Sequence, residues 1–356
     1  MDLRLVSTYR GVIYGFSIIY IVLFHGIAID KGDYSFGFSA LDWFQDFISM
    51  GNIGVDIFLL LSGICLYFSF QKNDDSYAFI KKRLARVVPS AYIVYSLYWA
   101  VKYHFLSFNP MALLGRLTLM EFWIQGDTTI WFLSLILVLY FLYPYIYGFV
   151  FHGTRPELRC AVLMLASYLM LFVLFNLAPG YFKMTEVALT RFPVFILGCY
   201  MGKFVYEGVR LPAFPFVPLA FVLFLFVYLV NTFSHLPGYV MHMVYLIGAV
   251  GGSYSLALVC LFFDRHAQLT VRPLYRFFDF TGGITLELYF CSIMFNQVLR
   301  MTPFYDQGNL GQYLALMALS YVAAWLVGKA STAIANRLLG KTKSARSLHP
   351  GQHACP

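Results

Sequence analysis

Between residues 52 and 70 the chain reads NIGVDIFLLLSGICLYFSF, nineteen residues with a single charge. A run of that kind decides the fold class. About twenty apolar residues in a helix cross the roughly 30 Å of a bilayer's hydrocarbon, and within lipid every backbone amide and carbonyl needs an internal partner. The run has companions at about 11–29, 87–106, 130–150, 159–177, 188–206, 212–232, 239–263, 281–299 and 311–334. Apolar and polar residues do not alternate within them, which excludes the strand pattern of a membrane β-barrel. Composition agrees, with 60% hydrophobic and 12% charged residues. A soluble domain carries about 25% charged residues to cover its surface. The sequence predicts an all-α, polytopic integral membrane protein of about ten transmembrane helices.

The formal charge of +8 is placed by topology rather than by a nucleic-acid groove. Basic residues gather in the N-terminal arm, Lys72 to Arg86, Arg155/Arg159, Lys203/Arg210, Arg265/Arg272/Arg276 and the chain from Lys329 onward. That side holds 19 of the 25 Lys and Arg. Lys31, Lys102, Arg116, Lys183, Arg191 and Arg300 fall on the other. The positive-inside bias then puts both termini in the cytoplasm and calls for an even number of spans. Residues 1–338 read as one membrane domain, and 339–356 as a basic, disordered cytoplasmic tail that contacts the membrane surface. No nucleic-acid partner is expected. The first apolar stretch lacks a small-residue cleavage site and reads as a retained span. The six cysteines are scattered without metal-ligand spacing. Small-residue pairs at Gly11/Gly15, Gly198/Gly202 and Gly248/Gly252 mark faces where helices approach closely.

Ionisable residues inside a span cost at least about 2.5–3.5 kcal/mol at its centre, so each is a functional candidate. His25, in IIYIVLFHGIAI, is either a general base with its second nitrogen held by a partner, or a histidine bonded to another helix for packing alone. Arg10 lies fifteen residues earlier on the same predicted helix, roughly 22 Å away along the axis and nearly on the same face. Read alone, it is equally a topology anchor. Asp56 opens the second span at the non-cytoplasmic side, a place from which a carboxylate could orient the His25 imidazole. The other choice of partner is Glu121. Arg83 and Arg86, one turn apart in FIKKRLARVVPS, suit the phosphates of a ligand, or else mark topology. Glu121, Asp127, Trp123 and Trp131 form an aromatic, acidic segment able to hold a polyol face, or an aromatic belt with solvated charges. Arg191 and Glu287 are embedded polar groups that equally suit a buried ion pair.

In order along the chain stand Arg10 with Phe24-His25; Gly51, Gly54, Val55, Asp56, Phe58, Ser62 and Gly63; Arg83, Arg86 and Pro89; WFLSLILVLYFLYP from Trp131; RFPVFILGCYMG from Arg191; and ITLELYF from Ile284. Taken together they resemble the acyltransferase family 3 of bacterial integral-membrane acyltransferases. Two features depart from the family's pattern. The Arg10–His25 spacing is longer than the usual one by about one helical turn, which nearly preserves the face. The histidine that many members carry after the ninth-span tyrosine is replaced by Cys291-Ser292.

The resemblance implies a multi-pass protein of the bacterial cytoplasmic (inner) membrane. It implies transfer of an acyl group, acetyl first among candidates, from cytoplasmic acyl-CoA to a hydroxyl of a surface glycan, its precursor or a small molecule. His25 would be the general base or a transient acyl carrier, with Asp56 and Glu121 as catalytic partners. Arg10, Arg83 and Arg86 would bind acyl-CoA, and Trp131 and Arg191 the acceptor. Acyl-CoA is a substrate here; no bound cofactor or metal is expected, and membrane lipids are the remaining partner. The competing function is a transporter or flippase for glycans or lipid-linked intermediates, which shares the span count and the intramembrane charges.

Overall fold

The apolar runs fold as helices in the computed structural model, which describes residues 1–28, 46–105, 115, 117–234, 236–306 and 309–340. Lys31, Arg116, Cys355 and the basic tail from residue 341 lie outside the described residues. In chain order the helices are α1 (Arg10–Leu23), α2 (Ile53–Lys72), α3 (Ser76–Phe105), α4 (Trp131–Phe151), α5 (Pro156–Leu177), α6 (Pro179–Leu189), α7 (Phe192–Glu207), α8 (Ala213–Phe233), α9 (Gly238–His266), α10 (Gln268–Gly283), α11 (Thr285–Arg300) and α12 (Leu310–Leu338). Among the described residues the only extended pairing is an isolated bridge between Asp2 and Arg210.

Among the described residues, eight helical stretches are long and apolar enough to cross a membrane. Within the described residues each of the ten expected runs is helical, but three are shortened or broken. α1 is followed by a π-helical turn, Phe24–Ala28. The run expected over 281–299 begins only at Thr285, because α10 ends at Gly282-Gly283. The basic segment 268–280, which lies between two expected spans, is the amphipathic helix α10. Likewise α3 starts at Ser76, so the Lys81–Arg86 cluster is helical. The run expected over 188–206 breaks at Thr190-Arg191 between α6 and α7.

All three glycine pairs serve as close-contact faces. A Cβ at Gly15 would run into the Phe278 carbonyl, and one at Gly11 into Asp279, so α10 lies directly on α1. A Cβ at Gly198 would meet the Leu60 backbone, and one at Gly202 would sit 2.5 Å from the Tyr67 Cβ, which locks α7 onto α2. Gly248 and Gly252 face Ile53, Val227 and Phe224, joining α9 to α2 and α8. Backbones at this distance gain dispersion contacts, the main adhesive between helices in lipid.

The core lies among α1, α2, α3, α4, α7 and α11. Helices α5, α8 and α12 form the periphery and expose large apolar side chains such as Leu165, Phe172, Phe233 and Leu319. Such outward apolar surface matches a lipid-facing shell.

The bundle has two chemically different ends. At one, Tyr9 donates to Asp264 Oδ2 at 2.6 Å, Gln71 donates to Tyr147 Oη at 2.6 Å, and Asp2 pairs with Arg210 at 3.7 Å. This end gathers the starts of α1 and α3 with the ends of α2, α4, α7 and α9, and with them the basic segments. At the other end Tyr313 of α12 donates to the Val22 carbonyl at 2.7 Å, beside the π turn that carries His25.

Candidate functional site

Along α1, the fifteen residues from Arg10 to His25 span roughly 22 Å, from the basic end to the opposite one. His25 sits in the π turn, a local widening that recurs at functional sites. Its Nδ1 lies 2.8 Å from the Ile21 carbonyl oxygen. A carbonyl only accepts, so Nδ1 carries the proton of the neutral ring and Nε2 keeps its lone pair. The partner that fixes the imidazole is therefore backbone of its own helix.

Asp56 does not fill that role, contrary to the expectation from its depth. Its neighbours in α2, Val55 and Phe58, face α1 and α11, whereas Asp56 is turned toward α7. There its Oδ2 lies 3.5 Å from Arg191 Nε. The physical reason is that a guanidinium buried at the start of α7 needs a counter-charge within a few ångströms. Arg191 is enclosed further. It donates through Nη1 to the Val187 carbonyl and through Nη2 to Asn52 Oδ1 at 3.0 Å. Its Cζ stands 5.0 Å from the centre of the Trp131 ring, a cation–π contact.

The network continues to a residue that the sequence reading passed over. Because Asn52 accepts from Arg191 through its oxygen, its amide nitrogen faces His242 Nε2, 3.1 Å away, and donates to it. His242 stands in the apolar run YVMHMVYLIGAV, and the criterion that picked out His25 applies to it equally. Asn52, at the edge of a span, gave no such signal.

Trp131 begins α4. Before it, Asp127 accepts from the Thr129 amide at 2.8 Å and caps a single 3₁₀ turn, a structural task for a residue left open between a polyol-holding segment and a solvated charge. Glu121 is buried at the first position of the short helix Glu121–Gln125. Edge-to-face contacts then run from Trp131 to Phe132, from Phe132 to Tyr289 at 5.3 Å, and from Tyr289 to His25 at 6.5 Å. One row of rings thus connects the Arg191 enclosure with the histidine.

Between α1, α2, α4 and α11 lies a narrow apolar crevice with room for about one water molecule, about 10 Å³. Ile18 and Ile21 of α1 form one wall, Val55 and Phe58 of α2 another, and Phe132 and Tyr289 close it. Ile18, Ile21 and His25 share a helical face at spacings of three and four residues. The crevice therefore lies beside the Ile18–Ile21 turn of α1, one turn before the histidine.

At the basic end the two arginines of α3 differ. Arg83 is buried, with its Cζ 5.4 Å from the Phe79 ring centre, whereas Arg86 is exposed, as are Lys81 and Lys82. Arg10 is half-buried at the first position of α1. Glu287 is far from these charges in role: its Oε1 accepts from Ser90 at 2.7 Å and from Ser331 at 3.5 Å, tying α11 to α3 and α12.

Residues 13–329 match a family model described as an acyltransferase domain. No curated protein and no solved structure matches the chain.

Proposed function

Because the chain belongs to this acyltransferase family, we propose that it carries an acyl group across the bacterial inner membrane, from acyl-CoA at its basic end to a hydroxyl of a surface glycan or glycan precursor at the other. The observation that carries the reading is the His25 imidazole, whose Nδ1–H donates to the Ile21 carbonyl and leaves Nε2 with its lone pair, one helical turn beyond the apolar crevice that Ile18 and Ile21 line.

Each part has a physical task in this reading. Arg10, Arg83 and Arg86 neutralise the phosphates of the nucleotide, which cannot enter hydrocarbon. The uncharged pantetheine arm and acyl group follow the apolar crevice toward His25. Nε2 takes the proton of the acceptor hydroxyl as its oxygen attacks the thioester carbon, or attacks that carbon itself to form an acyl-histidine. In the first route the protonated ring gives that proton to the departing thiolate; in the second the thiolate leaves first, the acceptor oxygen then takes the acyl group from Nε2, and the hydroxyl proton passes through the freed Nε2 to the thiolate. Arg191, held over Trp131 and paired with Asp56, orients the acceptor side of the site. Glu121, buried in the segment before α4, belongs to the same end.

The test compares O-acyl groups on isolated surface glycans, by proton NMR, in cells carrying the intact protein or His25→Ala. Loss of an acyl signal with unchanged glycan yield is the expected result. Loss of the glycan itself would point to transport, and no change in either would overturn the glycan acceptor.

A further inference from the structure

Helix α10 is too short and too charged to cross a bilayer. Its 16 residues make a rod of about 24 Å, short of the roughly 30 Å of hydrocarbon, and they include Arg272, Arg276 and Asp279. One side of the rod faces the protein. Phe278 and Gly282 press on α1 at Gly15 and Gly11, and Tyr275 donates to the Cys260 carbonyl of α9 at 2.6 Å. The Tyr9 and Tyr275 rings, 6.4 Å apart, place this contact at the basic end of the bundle.

The other side is mixed. Leu274, Phe277 and Phe280 keep 52%, 45% and 46% of their surface exposed. Beside them Arg272 and Arg276, both exposed and four residues apart, share one edge of the helix. Arg265, in the last turn of α9, is exposed as well. None of these three guanidiniums pairs with a carboxylate or donates a hydrogen bond among the described residues, whereas Arg210 pairs with Asp2 and Arg159 donates to the Phe149 carbonyl. The two acids close to them in sequence are directed to the start of α1: Asp264 accepts from Tyr9, and Asp279 lies over Gly11. A soluble anion would satisfy these arginines and leave the rings in water. A bilayer interface takes both, with apolar side chains among the acyl chains and guanidiniums at phosphate depth. The neighbouring surface is continuous with this: Phe262 of α9 is exposed, and Phe277 stacks on Tyr321 of α12, whose Leu319 and Val322 face outward.

We propose that α10 is an interfacial helix that binds anionic phospholipid in the leaflet at the basic end, with Arg265, Arg272 and Arg276 on the headgroup phosphates and Leu274, Phe277 and Phe280 among the acyl chains. Each guanidinium can fork onto two phosphate oxygens. A zwitterionic headgroup offers the same oxygens but offsets their charge with its own cation, so the cluster selects lipids of net negative charge. Gly11 and Gly15 leave no slack between α10 and α1, and lipid held on the outer side of α10 therefore steadies the start of α1. The inference stands apart from the acyl-transfer reading.

The experiment titrates the full chain, in a neutral detergent, with phosphatidylglycerol, phosphatidylcholine or inorganic phosphate. Bound lipid is read by native mass spectrometry and the unfolding midpoint is followed alongside. Phosphatidylglycerol is expected to bind about tenfold more tightly than phosphatidylcholine and to raise the midpoint, with no effect of inorganic phosphate. Arg272→Gln with Arg276→Gln should weaken phosphatidylglycerol binding by about 30-fold, while Arg272→Lys with Arg276→Lys should keep most of it. Lys72→Gln with Arg155→Gln removes the same charge from exposed positions elsewhere at the basic end and should bind as the intact protein does. Equal affinity for the two lipids overturns the proposal. Equal losses in the two Gln pairs also overturn it, because the preference would then belong to the basic end as a whole. A midpoint raised as far by inorganic phosphate as by phosphatidylglycerol overturns the lipid as occupant in favour of a soluble phosphate compound. The comparison of lipids on the intact protein, and the Lys pair, decide the matter should the Gln pair fail to fold.

Discussion

The Arg191 guanidinium and the Asp56 carboxylate stand 3.5 Å apart with 0% and 1% of their side chains exposed, at the end of the bundle that also holds His25. Neither Asp56 oxygen nor Arg191 Nε makes a hydrogen bond within the described residues, so charge alone couples them there. A pair of this kind is worth little against an apolar substitute, yet removing one member leaves the other charge buried and unmatched.

Asp56→Ala is therefore expected to destabilise the protein by about 3–5 kcal/mol. The double replacement Asp56→Leu with Arg191→Met should recover most of that loss, while leaving transfer impaired where Arg191 serves the acceptor. Thermal unfolding in detergent, run beside a transfer assay, separates the two effects. A double variant no more stable than Asp56→Ala alone would show that the pair does more than balance charge.

His25→Asn offers a sharper test of the histidine than truncation does. The asparagine amide can donate toward the Ile21 carbonyl, as Nδ1 now does, but it supplies no base. The expected outcome is normal yield and an unfolding midpoint near that of the intact protein, with transfer lost. Substantial transfer by His25→Asn would remove the imidazole from the chemistry.

The two arginines of α3 should fail differently. Arg86 is exposed, so Arg86→Ala is expected to raise KM for the acyl donor by about tenfold or more, the scale of one charge-assisted contact, without loss of protein. Arg83, buried beside Phe79, should cost folding yield as well as donor affinity when replaced by Ala. Initial rates against acyl-CoA concentration, with yields from fluorescence-detected size exclusion, measure both.

Glycine substitutions should sort by the space they find. Gly198→Ala drives a methyl group into the Leu60 backbone and is expected to cost about 1–3 kcal/mol. Gly180→Ala, in α6, meets nothing within 4 Å and should stabilise by about 0.4–1 kcal/mol. Unfolding midpoints of the two proteins, taken together, decide whether the α2–α7 contact is as tight as the geometry makes it.

Much of the fold was legible because lipid makes apolar length so informative. A run such as 212–232 has few alternatives to a helix. What the sequence left hidden shares a cause: it depends on direction rather than on composition. Residues 268–280 carry Arg272, Arg276 and Asp279 and fall outside every expected span, yet the segment is a helix whose Phe278 and Gly282 pack on α1. Asp56 was placed at the right end of the bundle, but its turn away from Val55 toward α7 follows from helix phase, and its partner Arg191 is far along the chain. The support of His25 is a main-chain carbonyl, which no search over side-chain types can find. Glu287 was open between ion pair and function; Ser90 and Ser331, two hydroxyls from separate helices, give it a structural place.

The slenderness of the crevice also bears on selectivity. On the proposed reading, a slot walled by Ile18, Val55 and Phe58 would act as a gauge that favours a short, flat group over a branched or bulky one. Two helix contacts set that gauge. α1 is pressed onto α10, and α2 onto α7, by glycines that leave no slack between backbones. If the acyl group passes here, as proposed, its size is set by the spacing of helices, and a longer acyl chain would call for trimming Val55 or Phe58 with Gly15 and Gly198 left untouched.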